Sequence, residues 1–529
     1  MTNPTKKQDM ITTNSTDGFG TISVAAILAE SARRTPDSIA LIVGEDETTY
    51  ARLWAETRAY AGALRARGIG PGDAVAVLIP NVPDFARVYY AILSLGAIVV
   101  PVHALLKARE IDYVLQDSGA TTLICAASLL TEGAAAAAST GVDLLTVMAP
   151  EDGGLPRLEA EAAASQPIDS YVPRLPSDTA TILYTSGTTG RPKGALGTHF
   201  ALVEQTSVLL TSVMQFKPGD VLFGGLPLFH TFGQTVVLNT GLRAGATIVM
   251  MPRFSGDGAL NLMARHNVNI FLGVPTMYVA LLEAAKAGAV RPPALRYGIS
   301  GGSSLPLAVM DKFRDVFGVE IHEGYGLTET SPVAAFNHVG TPPRPGTIGT
   351  AIWGVDIEIA RAETVESIEL LPAGELGELV IRGHLLMKGY LNRPEATAEA
   401  VVDGWFRTGD LGTKDDDGYL TIVDRKKDMI IRNGYNVYPR EVEEILLTHP
   451  EVVSAAVYGI PHEVHGQEVA AAIVLDAGAT ASATDLMEFA SAQLAAYKYP
   501  RVIRLLAELP LGPSGKILKR NLATESGGS

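Results

Sequence analysis

The sequence predicts an α/β protein: a large N-terminal domain of layered, largely parallel sheets with helices plus a β-rich layer, and a small C-terminal α+β lid domain. Three observations lead there. Short apolar runs alternate with stretches of helical length through residues 21–300, the pattern of parallel strands joined by crossover helices. From about residue 349 the strands crowd together, with Gly/Asp turns between them. A charged cluster, DRKKD at 424–428, then separates this part from a segment that reads strand, helix, strand, helix, strand. The expected boundaries are a polar leader over 1–20, a domain over 21–426 and a lid over 427–529.

In order along the chain, residues 21–34 carry helical spacing, and 51–68 form a strong amphipathic helix ending in Gly68. Residues 73–80 form a short buried strand, 84–95 a helix and 96–102 a strand. The alternation recurs around Val249, at 267–272 and at 295–300. The alanine run 134–138 reads as a helical or loosely ordered surface stretch. Strands are expected at 355–360, 378–383 and 420–423, and lid helices at 440–447 and 484–494.

Composition narrows the function. With 529 residues, 47% hydrophobic and 19% charged, the chain can bury large cores and is not generally disordered. A net charge of −15 argues against a broad nucleic-acid surface but allows a local basic pocket for a small anion. The single cysteine, Cys125 in TTLIC at 121–125, reads as a buried strand thiol rather than a nucleophile. Residues 1–20 are polar and lack the apolar core of a signal peptide. The longest apolar run, near 91–106, is interrupted by Ser94, Gly96, Pro101 and His103 and is too short to span a membrane. A reducing, cytoplasmic setting is expected, with no transmembrane segment; peripheral membrane contact stays open.

The most informative segment is YTSGTTGRPKG at 184–194, which follows the apolar run TATIL at 179–183. Glycines let the backbone approach a ligand closely, and the amides, hydroxyls, Arg191 and Lys193 offer donors suited to phosphate. A flexible surface turn is the bland alternative; the order strand, hydroxyl-glycine loop, lysine favours phosphate binding. The spacing is neither that of a Walker loop nor G-x-G-x-x-G, and no Ser or Thr follows Lys193.

Four further segments join it: YGISGGSSLP at 297–306, HEGYGLTETSP at 322–332, WFRTGDLG at 405–412 and PSGK at 513–516. Alone, each is weak: Asp410 could be a turn residue, Glu329 a helix cap and Lys516 a solvated lysine. Together and in this order they resemble the acyl-CoA synthetases of the adenylate-forming superfamily. The likeness spans residues 21–519, and DRKKDMIIRNGYNVYPRE at 424–441 is similar to the fatty-acid branch in particular.

The resemblance implies roles residue by residue. Thr185, Ser186, Gly187, Thr188, Thr189 and Lys193 would hold the β- and γ-phosphates of ATP. Gly301, Gly302 and Ser303 would leave a slot for adenine, with Tyr325 stacking on it. Glu323, Gly324 and Gly326 would complete the nucleotide site. Thr328 would contact the α-phosphate, and Glu329, with Thr185, would ligate Mg²⁺. Asp410 and Arg425 would bind the ribose, and Lys516 would contact the carboxylate and α-phosphate during adenylation. The acyl pocket would draw on His230, Phe232, Val274, Gly301, Gly324, Gly326 and Val333. His230 stands equally as a gate or as a hydrogen-bonded loop histidine, and Gly326 is expected to face the tail channel. A mobile lid would turn about Lys427 and bring Gly434 and Tyr435 up to coenzyme A.

The implied activity is ATP-dependent conversion of a medium- or long-chain fatty acid to acyl-AMP, then to acyl-CoA. A phosphopantetheinyl acyl carrier protein is the alternative acceptor, and an aryl or branched acid the alternative substrate.

Overall fold

Two large sheets form the body of the protein in this computed structural model, which describes residues 20–185, 191–288, 290, 293–512 and 517–526. The first has nine strands in the spatial order Thr350–Ala351, Val333–Phe336, Ile321–Gly326, Tyr297–Ser300, Ile270–Gly273, Val221–Gly224, Thr247–Met250, Ile39–Val43 and Asp46–Thr49. Its inner pairings are parallel, and antiparallel pairing is confined to the two ends. The second has six strands, ordered Asp143–Val147, Thr122–Ala126, Ala74–Leu78, Ile98–Pro101, Thr179–Thr185 and Lys193–Thr198. Only its last pair is antiparallel.

Local chemistry explains these elements. AVAVL and TLICA are buried along their whole length, as strands covered on both faces must be. Helix Pro83–Ser94 starts with proline and carries Asp84 in its first turn, and every residue in it but Arg87 is buried; both placements suit a helix N-terminus. Arg87 is compensated by Glu56 at 2.6 Å and Asp84 at 3.0 Å. Helix Tyr50–Ala66 is capped by Thr49, whose hydroxyl accepts the Arg52 N–H at 3.2 Å.

The alanine run 134–138 lies inside helix Leu130–Thr140 with Ala136 and Ala137 buried, so it is a packed face rather than a loose surface stretch. Its small residues are needed: a Cβ at Gly133 would lie 2.6 Å from Cys125 Sγ. Cys125 is buried in its strand, and burial pushes its thiol up to about 12, which keeps it inert.

The β-rich layer is a five-stranded antiparallel sheet of Val355–Ala360, Gly377–Gly383, Val401–Val402, Trp405–Lys414 and Leu420–Arg425. A separate five-stranded sheet gathers Ile430–Arg432, Tyr435–Val437, Val452–His462, Gly466–Leu475 and Val502–Leu505. Helices Pro439–Leu447 and Ala483–Ser491 contribute to one of its apolar clusters, and Leu522 of helix Lys519–Ser526 to another. Neither cluster shares a residue with the main core. Arg440 ties this part to strand Leu420–Arg425: its N–H donates to Asp424 Oδ2 at 3.0 Å and its guanidinium to the Ile422 carbonyl at 2.6 Å. No helix among the described residues is long and apolar enough to cross a membrane.

Candidate active site

A cleft of about 1270 Å³ runs between the two large sheets and the β-rich layer. One wall begins at the hairpin of Thr179–Thr185 and Lys193–Thr198, where Thr185 and Lys193 face each other in register. Ser186, Gly187, Thr188 and Thr189, which connect them, lie outside the described residues, as does Lys516. The sequence anticipated the first strand; the lysine opens a second strand, KGALGT, whose pairing with the first the sequence did not indicate.

Strand Ile321–Gly326 runs in the nine-stranded sheet and delivers Tyr325 to the cleft, and the tight turn Thr328–Thr330 after it holds Glu329. The Leu327 N–H donates to Thr330 Oγ1 at 2.8 Å, which pins that turn. Glu329 is buried, and its Oε1 accepts the Tyr390 hydroxyl at 2.8 Å. The same ring lies 4.8 Å beneath Lys193 Nζ. Tyr390 thus links the hairpin lysine to the Glu329 carboxylate. Its segment is stitched to both sides: Met387 N–H donates to the Glu329 carbonyl at 2.8 Å, Leu196 N–H to Gly389 at 3.0 Å and Leu391 N–H to Gly194 at 2.8 Å.

Opposite, Asp410 and Arg425 are register partners on Trp405–Lys414 and Leu420–Arg425. Arg425 Nε sits 3.0 Å from Asp410 Oδ1, and the Tyr325 hydroxyl donates to Oδ2 at 2.6 Å. Burial and then Asp410 push the Tyr325 phenol well above its usual range, so it remains a donor. Behind Asp410, Glu378 accepts the Gly409 N–H at 3.0 Å and pairs with Arg407 at 3.0 Å.

Of the remaining candidates, His230, Phe232, Gly301, Gly302, Gly324, Gly326, Thr328, Val333 and Lys427 line the same cleft. Val274 borders a small adjoining pocket behind His230 and Phe232. Ser303 is exposed and away from the cleft lining. Glu323 is buried beside it, with Oε1 accepting the Leu305 N–H at 3.2 Å, and burial raises its carboxyl to about 7. Gly434 and Tyr435 sit outside the cleft, Tyr435 exposed and stacked on Tyr497 at 4.8 Å. Gly326 borders the cleft through its backbone: a Cβ there would collide with the Pro332 carbonyl, so a side chain at this position does not enter the channel. Gly301 differs, since its Cβ would lie 3.3 Å from the Phe232 ring.

Tyr390, Glu378, Arg407, Met214 and His103 also line the cleft and were not anticipated. Arg407 lies inside WFRTGDLG and Glu378 opens the expected strand 378–383, yet neither was singled out; Tyr390, Met214 and His103 lie in segments without a motif, the Gly389-Tyr390 pair being the one local signal, a ring beside a glycine.

Residues 28–391 match the AMP-binding enzyme family and residues 441–516 the AMP-binding enzyme C-terminal domain. Among similar proteins, a long-chain-fatty-acid–CoA ligase of Bacillus subtilis is 33% identical over 95% of this chain and 94% of its own. A feruloyl-CoA synthase of an Amycolatopsis species is 36% identical over 92% of this chain and 96% of its own. ATP-bound MatB from Rhodopseudomonas palustris superposes with a TM-score of 0.85 at 33% identity, covering 95% of this chain and 98% of that one. The apo form of MatB superposes less closely, at 0.77, with 96% and 99% covered. The cleft residues and these matches together show that the chain belongs to the AMP-binding enzyme family, as an adenylate-forming acyl-CoA synthetase that works with ATP, Mg²⁺ and coenzyme A.

Proposed function

We propose that the acid activated is a medium- or long-chain fatty acid. The observation that carries this reading is the apolar stretch of the cleft, lined by Met214, Phe232, Ile299, Val333 and Phe336, which favours a hydrocarbon over a charged group. His230, Val274, Gly301, Gly324 and Gly326 complete the acyl wall in this reading.

The remaining roles are part of the proposal. Thr185, residues 186–189 and Lys193 hold the terminal phosphates, Gly301, Gly302 and Tyr325 the adenine, and Asp410 and Arg425 the ribose. Thr328 meets the α-phosphate. Asp410 keeps acceptor capacity for two hydroxyls because Tyr325 and Arg425 each occupy one direction on a different oxygen. Glu329 fits Mg²⁺, being a carboxylate on the cleft wall oriented by Tyr390; the ion supplies positive charge at the phosphates.

A carboxylate is a poor acylating agent because its leaving group would be oxide. Attack of its oxygen on the α-phosphorus forms the acyl-AMP anhydride and expels pyrophosphate. The thiol of coenzyme A then attacks the carbonyl and AMP leaves. Both partners of the first step are anions, so the cations along the cleft, Lys193, Arg425, Lys426 and Lys427, lower its barrier. Lys516, in the PSGK motif, is the proposed donor to the carboxylate and α-phosphate in this step. A body over 21–426 and a lid over 427–529 turn about Lys427, and Gly434 and Tyr435 then form the thiol passage.

The test is a panel of carboxylic acids scored by pyrophosphate release with and without coenzyme A. Medium and long chains should lead, with CoA required for turnover beyond the first. Release with aryl acids alone would overturn the fatty-acid reading, and transfer to a carrier protein but not to CoA would change the acceptor. Lys516→Ala should lower release by about 10²–10³, while synthetic acyl-AMP plus CoA still yields thioester.

A further inference from the structure

Beside the apolar wall, two residues of the cleft lining carry buried polar atoms that have no hydrogen-bond partner among the described residues. His103 follows strand Ile98–Pro101, and its ring lies against Phe229 with centroids 4.0 Å apart. His103 Nδ1 accepts the Leu105 N–H at 2.9 Å, so in the neutral ring the hydrogen is on Nε2. That Nε2 is buried and has no hydrogen-bond partner among the described residues. Two residues beyond Phe229, Thr231 is only 1% exposed and its Oγ1 is likewise without a partner among the described residues. His103 and Thr231 both line the cleft.

A buried donor without an acceptor is destabilising, and a hydrocarbon tail cannot relieve that cost. We propose that His103 and Thr231 form a polar subsite that takes an uncharged oxygen on the acyl substrate, a hydroxyl, keto or ether group, so that an oxygen-bearing fatty acid is preferred to a plain one. The inference rests on the fatty-acid reading above and narrows it. Burial lowers the His103 imidazole to about 4, so it is neutral at physiological pH and offers a hydrogen bond without a charge. A second carboxylate would lose its hydration there with no cation from this pair in return. The amide carbonyls of the CoA arm share the acceptor chemistry, so the experiment separates the two half-reactions.

The full-length enzyme is assayed for pyrophosphate release, in single turnovers without CoA and at steady state with varied CoA, using acids of equal length that are plain, hydroxylated, keto-substituted or terminated by a second carboxylate. The expected result is at least about a tenfold preference in kcat/KM for the hydroxy or keto acid over the plain one, in the range that loss of one buried hydrogen-bond partner produces. His103→Phe and Thr231→Val should each shrink that ratio, and His103→Asn, which keeps an N–H donor, should retain more of it. A purely structural role would slow all acids alike and leave the ratio unchanged.

Plain acids turned over as well as the oxygen-bearing ones would overturn this inference and leave the fatty-acid reading standing. So would a preference that survives both substitutions, a preference for the second carboxylate, or an effect confined to the KM for CoA. No turnover of any chain acid would overturn both readings.

Discussion

Tyr390 occupies a position where one phenol serves two charged partners, its hydroxyl on Glu329 and its face beneath Lys193. Tyr390→Phe keeps the ring and removes only the hydroxyl. Losing one hydrogen bond to a charged group costs about 1.5–3 kcal/mol, so adenylation should fall at least about tenfold and saturate at higher Mg²⁺. Pyrophosphate release titrated against Mg²⁺ checks this, and an unchanged Mg²⁺ dependence would dissociate Tyr390 from the metal role proposed for Glu329. Glu323 gives a second prediction at this scale. Its folded-state carboxyl is raised to about 7 by burial, from 4.5. The native state therefore holds the proton more tightly than the unfolded one, and the stability this brings is present below about pH 4.5 and lost as pH rises through 7. Glu323→Gln keeps an acceptor for the Leu305 N–H and cannot ionise. Its thermal midpoint relative to the parent should rise between pH 5 and pH 8, corresponding to a few kcal/mol at most; parallel pH curves would show that Glu323 stays charged.

At the scale of elements, two glycines that look alike in the sequence behave differently. Gly326 ends its strand with its missing Cβ directed at the Pro332 backbone, whereas the missing Cβ of Gly301 points at the Phe232 ring. Backbone cannot move aside cheaply, and an aromatic side chain can. Gly326→Ala should therefore lower the thermal midpoint sharply for every substrate condition. Gly301→Val should leave a folded enzyme whose chain-length preference shifts to shorter acids. The readouts are a melting curve and a chain-length series of pyrophosphate release. A Gly326→Ala enzyme of parental stability, or an unchanged chain-length profile for Gly301→Val, would contradict the respective geometry. Helices were the most legible elements: 84–95 and 440–447 were expected and Pro83–Ser94 and Pro439–Leu447 occur, because proline and an acidic first turn mark the start of each. The antiparallel partner Lys193–Thr198 was not anticipated, since Gly194 and Gly197 dilute its strand signal.

For the whole molecule, the proposed motion is a turn of the C-terminal part about Lys427, within the segment 425–429. Asp428 and Met429 N–H groups both donate to the Arg425 carbonyl, and Lys426 N–H donates to Gly409. Proline at 427 would remove none of these three bonds, yet it fixes φ near roughly −65°. In the proposed mechanism only the second step requires the turn, so adenylation is expected to survive this restriction. Lys427→Pro should give near-normal pyrophosphate release in a single turnover while acyl-CoA formation slows at least about tenfold, or roughly 1.4 kcal/mol of barrier. Rapid-quench measurement of both half-reactions separates the outcomes: equal slowing means general damage, and no slowing moves the hinge away from Lys427.

Family membership was readable from order alone, because YTSGTTGRPKG, HEGYGLTE, WFRTGD and PSGK each place glycines beside hydroxyl-bearing and charged residues close together in the chain. The layered α/β class was readable for a similar reason, since strand and helix periodicity are local. Contacts between distant segments were not. Tyr390 meets Glu329 across 61 positions and Tyr325 meets Asp410 across 85, and no local pattern encodes such pairings. The direction of a glycine's absent side chain and the lack of a partner for His103 Nε2 among the described residues are likewise products of packing: they depend on which backbone or ring the fold brings opposite. Residue types can announce a phosphate loop and a carboxylate; which groups orient them, and which polar atoms await a substrate, follows from how the sheets meet.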